Sequence, residues 1–290
     1  AKVTEIAETF VDRMLAMGGE CDFVSDIAIW YPLRVIMMIL GVPEKDESLM
    51  LKLTQEIFGS EDPDMQREGT DEERMQFMMD FFMYFSQMTA DRRANPGDDV
   101  ASVIANAVID GQPIGEMEAL GYYVIVATAG HDTTSASTAG GLLALMQNPE
   151  QMNKLRNDLS LLPHAIEEMF RWETPVKHFL RTATEDYTLR GRSIKEGDRL
   201  MMMYASGNRD EEVFNNPFEF QVDRRPNKQI AFGYGVHRCL GHLLAKMEMS
   251  AFYKALLERT TDIQLNGDPA WIHATFVSGL KRLPVRFIAR

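Results

Sequence analysis

The chain has 290 residues, of which 45% are hydrophobic and 25% charged, and its formal net charge is −13. This balance is typical of a folded globular protein and excludes a disordered, collagen-like or disulfide-stapled chain. The acidic excess argues against a general nucleic-acid binder, because such binding depends on neutralising phosphates with Lys and Arg. The two cysteines, Cys21 and Cys239, are too few for a disulfide framework or a four-cysteine zinc site, and they fit a reducing cytoplasm.

The sequence predicts neither a membrane span nor a signal peptide. Its longest apolar stretch, Ile29 to Leu40, is interrupted by Pro32 and Arg34 and falls short of the ~18 residues that a membrane helix needs. No charged segment followed by an apolar run opens the chain. We therefore expect a cytoplasmic protein without membrane association. The first residue is Ala1 rather than Met, from which we expect the natural start to be absent.

Residues 1–175 are predicted to be mostly helical. Ile6, Phe10, Met14 and Met17 lie three or four residues apart, on one face of a helix that ends at Gly18-Gly19. The further helices are predicted at about 23–40, at 46–58, after the acidic run 61–80 as far as about 93, and at about 115–147 as one long helix.

After Pro175 the pattern changes to short strands and turns. Strands are predicted at 186–192 and 199–204 around turns such as Glu196-Gly197-Asp198, and a helix is predicted at about 241–258 before short final strands. This segregation predicts a mainly α protein with small β sheets, of the α+β class. We expect a single domain over residues 1–290, helix-rich in 1–175 and mixed in 176–290.

The strongest chemical signal is the segment FGYGVHRCLG at residues 232–241. Its two glycines permit a tight turn with positive φ. Cys239 comes at the start of the predicted helix, where unpaired N–H groups and the positive end of the helix dipole favour a thiolate. Such a thiolate can ligate a metal, and a haem iron fits because only one cysteine is available in this segment. The alternative is a buried, inert cysteine in a glycine-rich turn.

This segment resembles the cysteine-ligand loop of the cytochrome P-450 superfamily. It matches F-G-x-G-x-H-x-C-x-G-x-x-L-A at every fixed position through Leu244 and Ala245. The resemblance implies the P-450 fold, haem b as cofactor, and Cys239 as the axial ligand of the haem iron, whose electron donation favours O–O cleavage. It also implies that Phe232 and Gly233 lie against the cofactor and that His237 hydrogen-bonds a haem propionate.

A second motif, AGHDTT at residues 129–134, lies within the long predicted helix although its residues are poor helix formers. Its small residues let a flat cofactor and O₂ approach the backbone, and a threonine bonded back to a carbonyl loosens the helix. The motif resembles the family's acid–threonine pair, which implies that Asp132 and Thr133 deliver protons for cleavage of the O–O bond. The alternative is a small-residue helix packed against a neighbour.

A third group resembles the family's structural cluster of one glutamate and two arginines. Glu168 and Arg171 lie three residues apart on one helix face, and Arg224 follows the segment FNNPFEF at residues 214–220. The resemblance implies that these three side chains hold the cysteine loop in place without taking part in the chemistry. Arg181 matches the family's propionate-binding arginine, with an ordinary strand arginine as the alternative.

The resemblance extends over the whole chain and is strongest to the bacterial terpineol-hydroxylating branch, in segments such as 127–134 and 205–210. It implies a monooxygenase that hydroxylates a small apolar substrate of terpene or terpene-alcohol type. The candidate substrate-lining residues are Ile125, Thr128, Ala129, Val176, Phe179 and Phe276.

The electrons must come from another protein, because the chain has no flavin or iron–sulfur ligand set. The resemblance implies a ferredoxin with an NAD(P)H ferredoxin reductase, and a monomeric enzyme. A basic patch is predicted around the cysteine loop, where positive charge steers an acidic ferredoxin. Its residues are Arg224, Arg225, Lys228, Arg238 and Lys246, against Asp223.

Family members are longer than this chain, and by resemblance their N-terminal part has no counterpart before Ala1. Two alternatives therefore stay open beside the complete enzyme. One is a fragment that binds haem but is catalytically incomplete. The other is a helical binding protein without haem.

Overall fold

A computed structural model describes residues 1–58, 62 and 70–290 of the chain. In chain order its helices are α1 (Lys2–Leu15), α2 (Trp30–Leu40), α3 (Glu47–Phe58), α4 (Asp71–Ala94), α5 (Val100–Ala105), α6 (Glu116–Ala129), α7 (Asp132–Gln147), α8 (Pro149–Asn157), α9 (Leu162–Glu173), α10 (Tyr204–Gly207) and α11 (His242–Arg259). A π-helical turn at Val24–Ala28 precedes α2, and a 3₁₀ turn at Gly235–His237 lies in the cysteine loop.

The strands are short and all their pairings are antiparallel within the described residues. They are β1 (Glu20–Asp22), β2 (Val108–Ile109), β3 (Gln112–Pro113), β4 (His178–Thr182), β5 (Tyr187–Leu189), β6 (Arg192–Ile194), β7 (Arg199–Met203), β8 (Thr260–Leu265), β9 (Ala270–Trp271), β10 (Leu280–Arg282) and β11 (Pro284–Ala289). The order β1-β11-β8 makes a three-stranded sheet, and β2-β3, β4-β7, β5-β6 and β9-β10 make two-stranded ones. The predicted mainly α fold with small β sheets is confirmed.

Helix α7 lies at the centre of the molecule, where small residues let its neighbours approach. A Cβ atom on Gly141 would stand 2.8 Å from both the Met169 sulfur of α9 and the Tyr253 hydroxyl of α11. That hydroxyl donates to the carbonyl of Thr138 at 2.6 Å. The glycine-rich stretch of α7 thus permits close packing of three helices, which positions α11 and the cysteine loop before it.

The prediction of one continuous helix over 115–147 is wrong, because the structure divides this segment into α6 and α7 at Gly130-His131. A Cβ atom on Gly130 would stand 2.8 Å from the Ile36 side chain of α2, so the absent side chain admits α2 to this point. The predicted helix over 23–40 likewise begins with the π-helical turn. It ends where Gly41 adopts φ +84°, a left-handed conformation that glycine takes without strain.

Thr70 begins α4 with a reciprocal cap. Its hydroxyl accepts from the Glu73 N–H at 3.2 Å, while the Glu73 carboxylate accepts from the Thr70 N–H at 2.8 Å. In the part of the chain that the structure describes, no helix is both long and apolar enough to cross a membrane.

Glu248 places a carboxyl group in the core beside α2. The Tyr31 hydroxyl donates to its backbone carbonyl at 2.9 Å, but Oε2 of its side chain has no hydrogen-bond partner among the described residues. Burial raises the pKa of Glu248 well above its ordinary value, since the charged form loses its water. The carboxyl group is therefore expected to fold in its neutral form.

Because the pKa of Glu248 is raised on folding, its contribution to stability is complete below the ordinary pKa of a glutamate and is lost as pH rises. We expect Glu248→Gln to be more stable than the natural chain at neutral pH, with a difference that disappears toward the ordinary Glu pKa. Denaturant unfolding across pH measures this difference. Glu258→Gln, on the same helix but exposed and paired with Lys254, is the control; a Glu248→Gln difference that does not change with pH would contradict the prediction.

Candidate haem-thiolate site

The cysteine loop is a chain of tight turns that presents the Cys239 sulfur to backbone donors. Gly233 and Gly235 both have φ +69°, which only glycine adopts readily. The Gly233 N–H donates to the Ile230 carbonyl and the Cys239 N–H donates to the Phe232 carbonyl, each at 2.8 Å. The backbone N–H groups of Gly241 and His242, which follow Cys239, act to lower the pKa of its thiol.

These donors do not by themselves produce a thiolate. Burial of the sulfur is the largest effect and raises the pKa of Cys239 above its ordinary value, although the residue as a whole is exposed. The Gly241 and His242 N–H groups and the charge of Arg238 act in the opposite direction. The expectation that the helix start makes Cys239 a thiolate is therefore wrong for the chain alone, and a metal cation would supply the missing positive charge.

The surface of the loop is unusually apolar. Val236 and Leu240 are 96% and 98% exposed, and Tyr234 is 88% exposed. Large apolar side chains left in water mark a surface that binds something. A flat, largely apolar macrocycle bound by a single sulfur would cover this surface. No group of three or more His, Cys, Asp or Glu side chains among the described residues forms an alternative metal site.

Phe232 connects the loop to two helices. Its ring lies 4.5 Å from that of Phe170 on α9 and 6.0 Å from that of His242 on α11, measured between centroids. The Lys246 ammonium lies 5.3 Å from the same ring. Gly233 has the Tyr204 hydroxyl 3.4 Å from the position of an added Cβ, so its place in the loop is closely packed.

The two residues expected to bind propionates lie on different elements. His237 is exposed in the 3₁₀ turn, two residues before Cys239. Arg181 is half-buried on β4, where its guanidinium donates to the Leu180 carbonyl at 2.8 Å and lies 5.9 Å from the Phe179 ring centroid. Both retain N–H groups for an anionic partner.

The acid–threonine pair lies where α6 ends and α7 begins. Asp132 is the first residue of α7, a position at which the helix dipole favours negative charge. The Thr133 hydroxyl donates to the Ala129 carbonyl at 2.9 Å, and the Thr134 hydroxyl donates to the Gly130 carbonyl at 3.3 Å. These hydroxyls satisfy carbonyls at the interruption of the helix, as expected for a loosened hydrogen-bond ladder.

The structure brings Glu168, Arg171 and Arg224 together in the interior. The Glu168 carboxylate accepts from the guanidinium of Arg171 at 2.7 Å and from that of Arg224 at 3.0 Å. It also accepts from the Gln221 N–H and from the Asn227 amide. Glu168 and Arg171 are fully buried and Arg224 is nearly so. Solvent therefore does not reach the charged groups of this cluster.

Asn208, which the sequence analysis missed, connects this cluster to the cysteine loop. Its backbone carbonyl accepts from Arg171 at 2.8 Å, and its side-chain oxygen accepts from the Ile230 N–H at 2.8 Å. The Ile230 carbonyl in turn accepts from Gly233. Asn208 is fully buried; a lone asparagine before Arg209-Asp210 carries no sequence signal for such a role.

The candidate substrate-lining residues lie in two separate places in the fold, and one of them, Thr128, is buried. On α6, Ile125 and Ala129 are exposed and lie one turn apart. Thr128 differs from them, because it is 2% exposed and its hydroxyl donates back to the Val124 carbonyl; its lining role stays a prediction. Val176 pairs with Val277 in an isolated antiparallel β-bridge.

Elsewhere, the Phe179 and Phe276 rings meet edge-on at 5.3 Å. The Lys177 N–H donates to the Phe276 carbonyl, so Val176, Phe179 and Phe276 form one group.

The predicted basic patch is smaller than the sequence indicates. Arg224 is buried against Glu168, and Lys246 forms an ion pair with Glu167. Asp223 is paired with Lys154. The exposed basic residues that remain are Arg225, Lys228 and Arg238.

Two features together indicate a haem-thiolate protein. One is the single loop cysteine beside an exposed apolar surface, and the other is the acid–threonine pair at the break between α6 and α7. Residues 63–261 match the family model of Cytochrome P450. The chain is 47% identical to Cytochrome P450-terp of Pseudomonas sp over an aligned length of 293 residues. The alignment covers 98% of this chain and 68% of that protein. It is 36% identical to a steroid C26-monooxygenase of Mycolicibacterium smegmatis, with 98% and 71% covered.

Solved structures agree with this relationship. The crystal structure of CYP108D1 from Novosphingobium aromaticivorans gives a TM-score of 0.90 at 45% identity, covering 100% of this chain and 69% of that one. CYP268A2 of Mycobacterium marinum, in complex with pseudoionone, gives 0.93 at 34% identity, with 99% and 70% covered. The chain belongs to the cytochrome P450 family of haem-dependent monooxygenases, which are oxidoreductases.

Replacing Glu168 by Gln would leave two buried guanidinium groups without their counter-charge. We expect Glu168→Gln to lower the free energy of unfolding by about 3–5 kcal/mol, the usual cost of breaking a buried ion pair. Glu212→Gln is the matched control, since Glu212 pairs with Arg190 entirely at the surface and should change stability little. Equal effects of the two substitutions on denaturant unfolding would refute a central role for the cluster.

Proposed function

We propose that this P450 hydroxylates a small apolar molecule of the terpene or terpene-alcohol class, with haem b, O₂ and electrons from a ferredoxin. The observation that supports it best is the single loop cysteine, Cys239, held by a bond from its N–H to the Phe232 carbonyl among exposed apolar side chains. Similarity to Cytochrome P450-terp supports the substrate class. We propose a cytoplasmic monomer formed from a single domain.

When bound, the haem would supply activation of O₂ and transfer of one of its oxygen atoms into a C–H bond, while the other oxygen leaves as water with two electrons and two protons. The chain's own residues position it. Cys239 would ligate the iron, His237 and Arg181 would pair with the propionates, and Phe232 and Gly233 shape the loop beside the sulfur. The Glu168–Arg171–Arg224 cluster, through Asn208, keeps this loop in one conformation.

Asp132 and Thr133 handle the protons. The Thr133 hydroxyl donates a hydrogen bond to the Ala129 carbonyl. The lone pairs of the hydroxyl oxygen therefore remain able to accept a hydrogen bond from a proton donor. Oδ2 of Asp132 has no hydrogen-bond partner among the described residues, although the side chain is 26% exposed. A carboxylate at the boundary between solvent and interior can therefore take protons from water and pass them inward.

The substrate pocket uses apolar side chains from both halves of the chain. Ile125 and Ala129 on α6 offer one exposed apolar surface, and the group of Val176, Phe179 and Phe276 offers another. Contacts of this kind hold a hydrocarbon by burial rather than by hydrogen bonds. A terpene skeleton satisfies that requirement.

Cys239 is tested by the absorbance of the reduced protein with carbon monoxide. We expect the red-shifted Soret band of thiolate-ligated haem, its loss in Cys239→Ser, and its retention in Cys21→Ser, which removes the other cysteine. A natural protein without this band would contradict haem binding, and a band that survives Cys239→Ser would contradict the ligand. A band without product, when ferredoxin, reductase and NAD(P)H are present, would favour the incomplete-fragment alternative.

Arg238 is the exposed basic residue next to the ligand and is expected to attract an acidic ferredoxin. We expect Arg238→Gln to slow reduction by the ferredoxin by about threefold or more at low ionic strength, with a weaker dependence on salt. Arg192→Gln, an equal change of charge at an exposed position on β6, should have no such effect. Unchanged stopped-flow reduction of Arg238→Gln would exclude docking at this residue.

A further inference from the structure

His131 is a buried side chain between two oxygen atoms. It is fully buried. Its Nε2 lies 2.6 Å from the Ile29 carbonyl oxygen, and its Nδ1 lies 3.1 Å from Oδ1 of Asp132. The second contact is at ion-pair distance without the angle of a hydrogen bond, and Nδ1 has no hydrogen-bond partner among the described residues.

The Ile29 carbonyl lies at the start of α2, where the His131 ring reaches it. Ile29 is the residue before the first residue of α2, so the α-helical donor to its carbonyl is the Leu33 N–H, four residues later. The carbonyl oxygen has a second lone pair, which faces the His131 ring 102 residues away in sequence.

These two contacts determine where the ring carries its hydrogens. A carbonyl oxygen only accepts, so Nε2 must be protonated. In a neutral imidazole the lone pair of Nδ1 would then lie near a carboxylate oxygen 3.1 Å away, and the two would repel. A proton on Nδ1 converts this repulsion into an attractive ion pair.

We propose that His131 is a positioning residue: a buried imidazolium, held by the Ile29 carbonyl, that fixes the Asp132 carboxylate through Oδ1 and leaves its buried Oδ2 available to the proton route. This proposal rests on the proposed role of Asp132 in proton delivery. The contact of Nε2 with the Ile29 carbonyl and the ion pair of Nδ1 with Oδ1 of Asp132 compensate for burying the charge. The two members also differ in exposure, because His131 is fully buried while Asp132 reaches solvent.

The chain allows a matched pair of substitutions at His131. In His131→Gln the side-chain amide can replace Nε2 and keep the bond to the Ile29 carbonyl, but nothing faces Asp132. In His131→Asn the amide can replace Nδ1 and donate to Asp132, but the bond to Ile29 is lost. The two variants therefore separate anchoring from positioning.

The protonation state is measured by ¹⁵N NMR of the six histidines in the ferrous carbon monoxide form of the holoprotein, which is diamagnetic. At about pH 8, where exposed histidines are neutral, we expect one ring with both nitrogens protonated. That signal should vanish in His131→Gln. In Asp132→Asn the ring should become neutral with Nε2 protonated, since an amide can donate to Nδ1. A neutral His131 in the natural protein would overturn the proposal.

The positioning role is measured by the fraction of NAD(P)H electrons recovered in product rather than in hydrogen peroxide. We expect His131→Gln to lower this fraction roughly tenfold, as for other residues that orient a working side chain, and His131→Asn to recover most of it. If Asp132→Asn lowers the fraction but His131→Gln does not, the positioning proposal is wrong and the proposed function stands. If Asp132→Asn has no effect, the proton route of the proposed function fails. Should His131→Gln not fold, the NMR of the natural protein and the His131→Asn variant still decide.

Discussion

One buried carboxylate, that of Glu168, determines the conformation of the region that carries the cysteine loop. It neutralises Arg171 and Arg224, whose remaining N–H groups donate to carbonyls between residues 208 and 219. This segment has little regular structure, so its buried carbonyls would otherwise lack donors. The planar guanidinium group can serve several carbonyls at once, which a lysine could not do. Without the Glu168 charge, both arginines would be too costly to bury, and the segment would lose its donors.

The cysteine loop depends on this cluster because its own contacts are few. The glycines make its turns possible, but several of its apolar side chains are exposed and contribute nothing to packing. Its attachment comes from Phe232 against Phe170, from Asn208 bonded to Ile230, and from the start of α11. A ligand sulfur must hold its position more accurately than a mobile loop allows. In the proposed function, the buried ion cluster therefore acts on the chemistry indirectly, through the position of Cys239.

The parts of this molecule that could be predicted from sequence are those whose partners lie close along the chain. The helices, the Thr70–Glu73 cap and the turns of the cysteine loop follow from local spacing. Features set by distant partners could not be predicted. The break between α6 and α7 depends on α2 packing against Gly130, and the pairing of Lys246 with Glu167 removes a charge that sequence counts as free. The burial of Thr128 and the role of Asn208 likewise depend on tertiary contacts alone.

The helix break shows the same dependence on a distant element. A glycine, a histidine and an aspartate at this point weaken a helix that is otherwise well packed. The buried length of α7 compensates for that loss, and the break then gathers the polar groups of the site into one short interruption. The anchor of His131 lies on the segment before α2, so its position relative to Asp132 is set by how α2 packs against α6 and α7. The ligand loop and the proton route are thus each held by residues outside their own motifs, and substitutions remote from either motif can alter the reaction.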